Sequence, residues 1–171
     1  HYLTNQFNVP ESFLSDIADT DERPRIEYEG NWLLTIIRIP VQSQEQGIPF
    51  TTIPLGIMTN NEIIISVCYY KTELIPDFIR YTRRKEVVVL RLIHSSAVWF
   101  LKYLKQINNE VAHAEKALEK SIRNEDLLRL MKLEKSMVYF NTSIRGNEVM
   151  LTKLQSIFQE PVYMDNELVE D

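Results

Sequence analysis

VLRLIHSSAVWFLKYLKQINNEVAHAEKALEKSIRNEDLLRLMKLEKSMVYFNTSIRGNEVMLTKLQSIF, residues 89–158, is the stretch whose reading decides the fold. In its first half Leu90, Ile93, Ala97, Phe100, Leu104, Ile107, Val111, Ala114 and Leu118 recur at steps of three and four. That spacing keeps an apolar seam on one side of a helix. The second half carries Leu130, Met137, Phe140, Ile144, Asn147, Leu151, Leu154 and Phe158 in the same rhythm, with Glu134 and Asn147 as polar interruptions. The two seams are expected to face each other. Between them Ser121–Asp126 supplies a short turn, in which Asn124 can cap the second helix and Glu125 and Asp126 suit the positive end of its dipole. So short a connection makes the helices antiparallel. At about 1.5 Å of rise per residue, arms of roughly thirty residues reach some 45–50 Å, beyond the width of a small domain.

Upstream of the hairpin the pattern changes to short elements. The first residues, His1 to Phe7, read as a helix already under way, and Asn8-Val9-Pro10-Glu11 as the start of another, with Pro fixing φ and Glu11 at the favourable end of the dipole. Phe13, Leu14 and Ile17 form its apolar face, and Asp16 lies off that face. Pro24 turns Arg23 towards extended geometry and ends the helical region. Ile26–Glu29 and Trp32–Val41 flank the turn residues Gly30-Asn31 and predict a hairpin; Phe50–Thr59 and Glu62–Tyr69 predict a second across Asn60-Asn61. Gln42 to Ile48 is a polar connection turning at Gly47. Three successive isoleucines, Ile63, Ile64 and Ile65, predict a strand covered on both faces. Leu74 to Lys85 returns to helical spacing, and Gln159-Glu160-Pro161 stops the last long helix.

The expected fold is α/β: a mixed β-sheet layer flanked by helices, with a long antiparallel, coiled-coil-like helical hairpin in the C-terminal half. Residues 1–85 form the sheet subdomain, 86–160 the hairpin packed on it and projecting from it, and 161–171 the start of a truncated helix. No internal repeat is visible. Both ends read as interior to helices, which predicts a trimmed fragment.

Composition bounds the function. The 171 residues are 44% hydrophobic, enough for a core, and the net charge of −5 comes from mixed acids and bases with no basic block, which argues against nucleic acid as partner. Cys68 is the sole cysteine, so no disulfide framework exists and a reducing compartment fits. No apolar run approaches the roughly 20 residues that cross a bilayer. With four glycines in all, Gly30, Gly47, Gly56 and Gly146, neither a dinucleotide fingerprint nor a phosphate-cradling loop can be written.

Catalytic constellations are equally absent. His1, His94 and His113 share no ligand or triad spacing with one another or with Cys68. His94 reads as a packing or hydrogen-bonded residue and His113 as solvated. Adjacent helical positions diverge by about 100°, so His94 cannot serve Ser95 or Ser96 as a base; the small serines let the helix approach the sheet. Asn147 at a seam position fixes register more readily than it binds a ligand. An enzyme is not expected. Glu110, Glu115, Glu119, Glu125, Asp126 and Glu134 read as a solvated face. Asp16 and the terminal group Asp165, Glu167, Glu170 and Asp171 are the carboxylates able to serve a hard cation, which takes oxygen ligands and keeps several waters.

The ordered series Pro10-Glu11-Ser12-Phe13-Leu14-Ser15-Asp16-Ile17, Glu22-Arg23-Pro24-Arg25-Ile26-Glu27, Ile37-Arg38-Ile39-Pro40, Pro54-Leu55-Gly56-Ile57 and Ile64-Ile65-Ser66-Val67, continued through Leu90-Arg91-Leu92-Ile93 into the long helices, resembles the cytoplasmic domain of CorA-type divalent-cation transporters. The resemblance implies a homopentameric Mg²⁺ or Co²⁺ channel at the inner (plasma) membrane, anchored by two C-terminal transmembrane helices and a Gly-Met-Asn motif that lie outside this chain. It implies a regulatory role for this part, with Mg²⁺ as regulatory and transported ion, no organic cofactor, and a cation clamped between subunits by Asp16 and by an acid near the stalk, Asp171 with Glu170 as the alternative. Ser15 and His94 stand where many relatives have further acids, which leaves a second cation per interface open. A soluble fragment of this kind is expected to be monomeric. The competing expectation is an α/β scaffold whose coiled-coil arm serves protein partners only.

Overall fold

The computed structural model describes residues 2–43, 47–72, 74, 85–120 and 123–158. Two short helices come first, α1 (Tyr2–Phe7) and α2 (Glu11–Ala18), then four strands, β1 (Arg25–Glu29), β2 (Trp32–Gln42), β3 (Phe50–Thr59) and β4 (Ile64–Val67), then α3 (Lys85–Lys120) and α4 (Asn124–Phe158). The sheet runs β1-β2-β3-β4 and every pairing is antiparallel. A mixed sheet was expected; among the described residues each strand instead returns directly through a hairpin, which needs no parallel crossover.

Both turns come from the residues that predict them. Glu29 pairs with Trp32 across Gly30-Asn31, with Gly30 at φ 61°. At the second turn the Asn60 side chain does the work: its Oδ1 accepts from the N–H groups of Glu62 (2.9 Å) and Ile63 (2.8 Å). This local competition for backbone donors widens the loop and shortens β4 to four residues.

The sheet is sandwiched. Side chains alternate along a strand, so Trp32, Leu34 and Ile36 of β2 pack with Met58, Val9, Phe13 and Ile17 on the α2 side. Ile37 and Ile39 join Ile53, Leu55 and Ile57 of β3 against Leu74, Val88, Val89, Leu92, Met150 and Leu154 on the side of the long helices. The strands covered on both faces are therefore β2 and β3. The isoleucine-rich β4 is an edge strand, half-buried throughout; Ile64 packs on the long-helix side and Ile63 and Ile65 on the α2 side, so both faces are covered as expected, though only in part.

The long helices form the expected antiparallel pair. Phe100 meets Phe140 edge-on at 5.1 Å, and Glu110 accepts from Arg129 at 3.2 Å, so contacts descend one helix as they climb the other. The buried residues differ from the expected seams. In α3 Phe100, Ile107 and Ala114 are buried as read, but Leu90 and Ala97 are exposed while Val89, Leu92, Ser96 and Tyr103 are covered. In α4 Met137 and Ile144 are exposed, and the covered stripe is Leu133, Ser136, Phe140, Ser143, Met150 and Leu154. The reason is the surface beneath. Both helices lie on the sheet before they meet each other, and α4 crosses strand ends whose backbone groups need hydrogen-bond partners. Beyond Tyr103, which packs on Phe50 at 5.1 Å, α3 runs on to Lys120, about 25 Å at the helical rise.

By length and composition α3 could cross a membrane, against the expectation that no apolar run approaches that length. Its first turns instead bury Val88, Val89, Leu92 and Ser96 in the sheet interface. The expected helix at Leu74–Lys85 and everything from Gln159 to Asp171, including the third expected segment, lie outside the described residues, apart from Leu74 and Lys85 themselves.

Candidate functional site

α2 is placed by its apolar face. Asn8 takes a left-handed φ of 53°, which Asn tolerates, and its N–H closes α1 on Thr4 O (3.0 Å) before the chain turns through Val9 and Pro10 into α2. Phe13 and Ile17 are fully buried on the sheet. Ile17 can lie so low because β3 has Gly56 beneath it; a Cβ there would overlap the Ile17 Cδ1 and Cγ1 atoms. Asp16, one residue earlier, is thereby lifted to the edge of the interface with 32% of its side chain exposed.

Two polar ties one helical turn apart fasten α2 to β1. Ser12 Oγ donates to Glu29 Oε2 at 2.7 Å, and Arg25 Nη2 donates to Asp16 Oδ2 at 2.5 Å. Arg25 also binds Glu22 through Nε (3.2 Å) and Glu27 through Nη1. One guanidinium thus gathers carboxylates from a helix, a loop and a strand. Burial pulls the Arg25 pKa down, but the bonds from Glu27 and Glu22 and their charges outweigh it and hold it above the usual value. The cluster of three acids and one base remains net negative and faces solvent on one side.

A second arginine ties this corner to α4. Arg38 Nη1 donates to the carbonyls of Thr20 and Glu22 (both 2.8 Å), while Nε reaches Thr52 Oγ1 (3.0 Å) and Nη2 reaches Thr52 O (2.5 Å). Burial lowers its pKa, opposed by Asp21, Asp19 and Glu22. Thr52 Oγ1 is bonded in turn to Ser143 Oγ of α4 (2.7 Å). Asn147 of α4 completes the link: its Oδ1 accepts from Arg38 N–H (2.8 Å) and its Nδ2 donates to Arg38 O (2.7 Å). The β1 ladder ends at Ile36, so this amide replaces the missing strand beside Arg38. Ser136 serves the β3 edge likewise, accepting from Phe50 N–H (3.2 Å) and donating to Phe50 O (2.8 Å). Between these clasps Gly146 lies against Pro24, where a Cβ would come within 2.9 Å of the ring. Ser136 and Ser143 are therefore buried, and Asn147 half-buried, for hydrogen bonding, and Asn147 bonds to β2 rather than to α3.

Of the expected site residues, Asp16 is at the surface as read. Asp171 and Glu170, with Asp165 and Glu167, lie outside the described residues, so nothing brings them to Asp16 here. His94 is exposed, not packed, and His113 is exposed. Ser95 Oγ donates to Leu74 O (2.9 Å) and Ser96 is buried in the helix–sheet interface, so neither faces His94. Among the described residues no group of three or more His, Cys, Asp or Glu side chains is arranged to hold a metal. Sequence reasoning missed Arg25, Glu22 and Glu27. The alternation of Arg25, Ile26 and Glu27 puts the two charged residues on one strand face, which was the available signal.

Fold and site define an α/β domain in which a small antiparallel sheet carries two short helices on one face and a long helical pair on the other, with an acidic corner mechanically tied to the second long helix. The chain belongs to the CorA-like Mg²⁺ transporter protein family, whose model matches residues 1–170. It is 23% identical over 166 residues to the cobalt/magnesium transport protein CorA of Methanocaldococcus jannaschii, covering 90% of this chain and 50% of that protein. The chain thus spans about half the length of that curated relative. Its fold is that of the soluble domain of CorA from the same organism, with TM-score 0.77 at 20% identity over 88% of this chain and 63% of that one. The complete CorA magnesium transporter gives TM-score 0.79 at 21% identity, over 90% and 50% of the two chains. The ZntB cytoplasmic domain from Vibrio parahaemolyticus gives 0.66 at 14% identity, over 93% and 65%.

Proposed function

We propose that this chain is the cytoplasmic, cation-sensing part of a CorA-type Mg²⁺/Co²⁺ transporter, in which Mg²⁺ held between neighbouring copies of a homopentamer favours the closed state. It acts without enzymatic activity or organic cofactor, at the cytoplasmic face of the plasma membrane, and is joined to membrane-spanning helices C-terminal to it. One observation carries the reading: Asp16 is neither buried in its own protomer nor free in solvent, but keeps 32% of its side chain exposed in a net-negative corner. Carboxylate oxygens there suit a hard cation that retains most of its waters. The second acid comes from a neighbouring copy, with Asp171 or Glu170 as candidates. Mg²⁺ offsets the repulsion between carboxylates across the interface, and its loss releases the copies. The ties from Arg38, Ser143, Asn147 and Gly146 provide a stiff route from this corner to α4. Separated from its stalk, the chain is monomeric.

The test is Mg²⁺ inhibition of current through the intact transporter. Asp16→Ala raises the Mg²⁺ concentration needed for closure; an unchanged inhibition curve contradicts the proposal. A second reading, a scaffold serving protein partners alone, draws on apolar side chains exposed along the hairpin, among them Leu101, Met131 and Val149. Two membrane-length apolar stretches in the chain's continuation, with Gly-Met-Asn after the first, select the transporter; their absence selects the scaffold.

A further inference from the structure

A cavity of about 430 Å³ opens between the end of β2, the 71–72 segment and α3. That volume lies in the range of small-molecule sites. Trp99, Lys102, Tyr103 and Gln106 line it from α3, where steps of three and four bring them onto one helical face. Ser43 and Lys71 are among the residues that complete it opposite.

Its charge runs against that of the chain. Acids outnumber bases 24 to 19 overall, yet among the described residues the lining includes Lys71 and Lys102 and no Asp or Glu. Ammonium groups that line a cavity from opposite sides repel each other and favour an anion between them. The aromatic wall adds a second preference. Lys102 Nζ sits 3.8 Å from the centre of the Trp99 ring, and Trp99 packs on Tyr103 at 5.5 Å. The half-buried indole is thus fixed from two sides and gives the cavity an apolar aromatic wall against which a ring can pack.

From this placement we infer that the cavity binds a phosphorylated planar-ring metabolite of the nucleoside diphosphate class, its phosphates between Lys71 and Lys102 and its ring against Trp99. This is a lysine-and-aromatic site, distinct from the glycine-loop cradles that the sequence excludes. Occupancy would fasten the end of β2 and the 71–72 segment to α3. The inference does not rest on the transport reading.

The experiment is calorimetric titration of the intact protein with ADP, pyrophosphate and adenosine in Mg²⁺-free buffer, so that chelation of the cation plays no part. Emission of Trp99 is followed in parallel, Trp32 being 2% exposed and a steady reference. ADP is expected to bind one per chain, more tightly than pyrophosphate or adenosine. Lys71→Gln and Lys102→Gln each weaken it about tenfold, Lys102→Arg restores it, and Trp99→Leu removes the advantage of ADP over pyrophosphate. Both lysines are exposed, so an unchanged melting temperature accompanies these losses. No ADP binding at millimolar concentration, binding indifferent to both lysine substitutions, or pyrophosphate binding as tightly as ADP overturns the assignment.

Discussion

Replacing Asn147 by Ala tests whether α4 is seated by polar clasps. The substitution removes two hydrogen bonds, of 2.8 and 2.7 Å, and leaves the Arg38 N–H and C=O without a partner in a partly buried position. A neutral hydrogen bond contributes about 1 kcal/mol net, and an unmet buried group costs about 1–3 kcal/mol. Partial access of water sets the total near 2–3 kcal/mol. With a urea slope of about 2 kcal/mol/M, the unfolding midpoint falls by roughly 1–1.5 M at constant slope. Asn141→Ala, on the exposed side of the same helix, shifts stability by no more than about 0.5 kcal/mol. Asn147→Asp keeps the acceptor but turns a second carboxylate oxygen on the Arg38 carbonyl, so it is at least as damaging as Ala at pH 7 and recovers as the acid protonates. A midpoint loss under about 0.3 M for Asn147→Ala would refute the reasoning.

Three further outcomes follow from the same contacts. Gly56→Ala drives a methyl into the buried Ile17 side chain and costs about 1–3 kcal/mol; chemical denaturation should show this, together with earlier proteolysis within α2. Arg25→Gln removes the positive charge beside Asp16, Glu22 and Glu27, and under the proposed sensing role closure of the intact protein then occurs at several-fold lower Mg²⁺; a need for more Mg²⁺ would mean that Arg25 chiefly orients Asp16. Burial holds the Cys68 thiol above its ordinary pKa, so alkylation at pH 8 is slower than for free cysteine and accelerates on unfolding. Because the raised pKa belongs to the folded state, the stability tied to the neutral thiol is complete below about pH 8.5 and declines as pH rises further. Cys68→Ala abolishes that alkaline decline.

The fold was legible where local chemistry decides it. Gly30-Asn31 and the flanking β-branched residues place the first hairpin, and the periodicity of 89–158 gives two long antiparallel helices. It was illegible where burial serves hydrogen bonding. Ser136 and Ser143 look like surface residues, yet they point inward because Phe50 and Thr52 offer polar groups to bond, while Met137 and Ile144 face outward. Three isoleucines in a row predicted a strand covered on both faces, and Ile64 and Ile65 do pack on opposite layers, but at an edge that pairs only with β3 and over four residues. At the candidate site, helical spacing alone put Asp16 off the apolar face of α2. Its partner Arg25 could not be read, since that pairing depends on how α2 crosses β1.

The central proposal is that Asp16 shares a cation with an acid of a neighbouring copy, which requires it to give up its pairing with Arg25. Paired structures of the intact protein, with and without Mg²⁺, address this most directly. The account predicts the Asp16–Arg25 pairing intact without Mg²⁺, and broken with it, with an ion within direct or single-water reach of Asp16 and of an acid from the adjacent copy. An unchanged pairing with no ion beside Asp16 at saturating Mg²⁺ would contradict it.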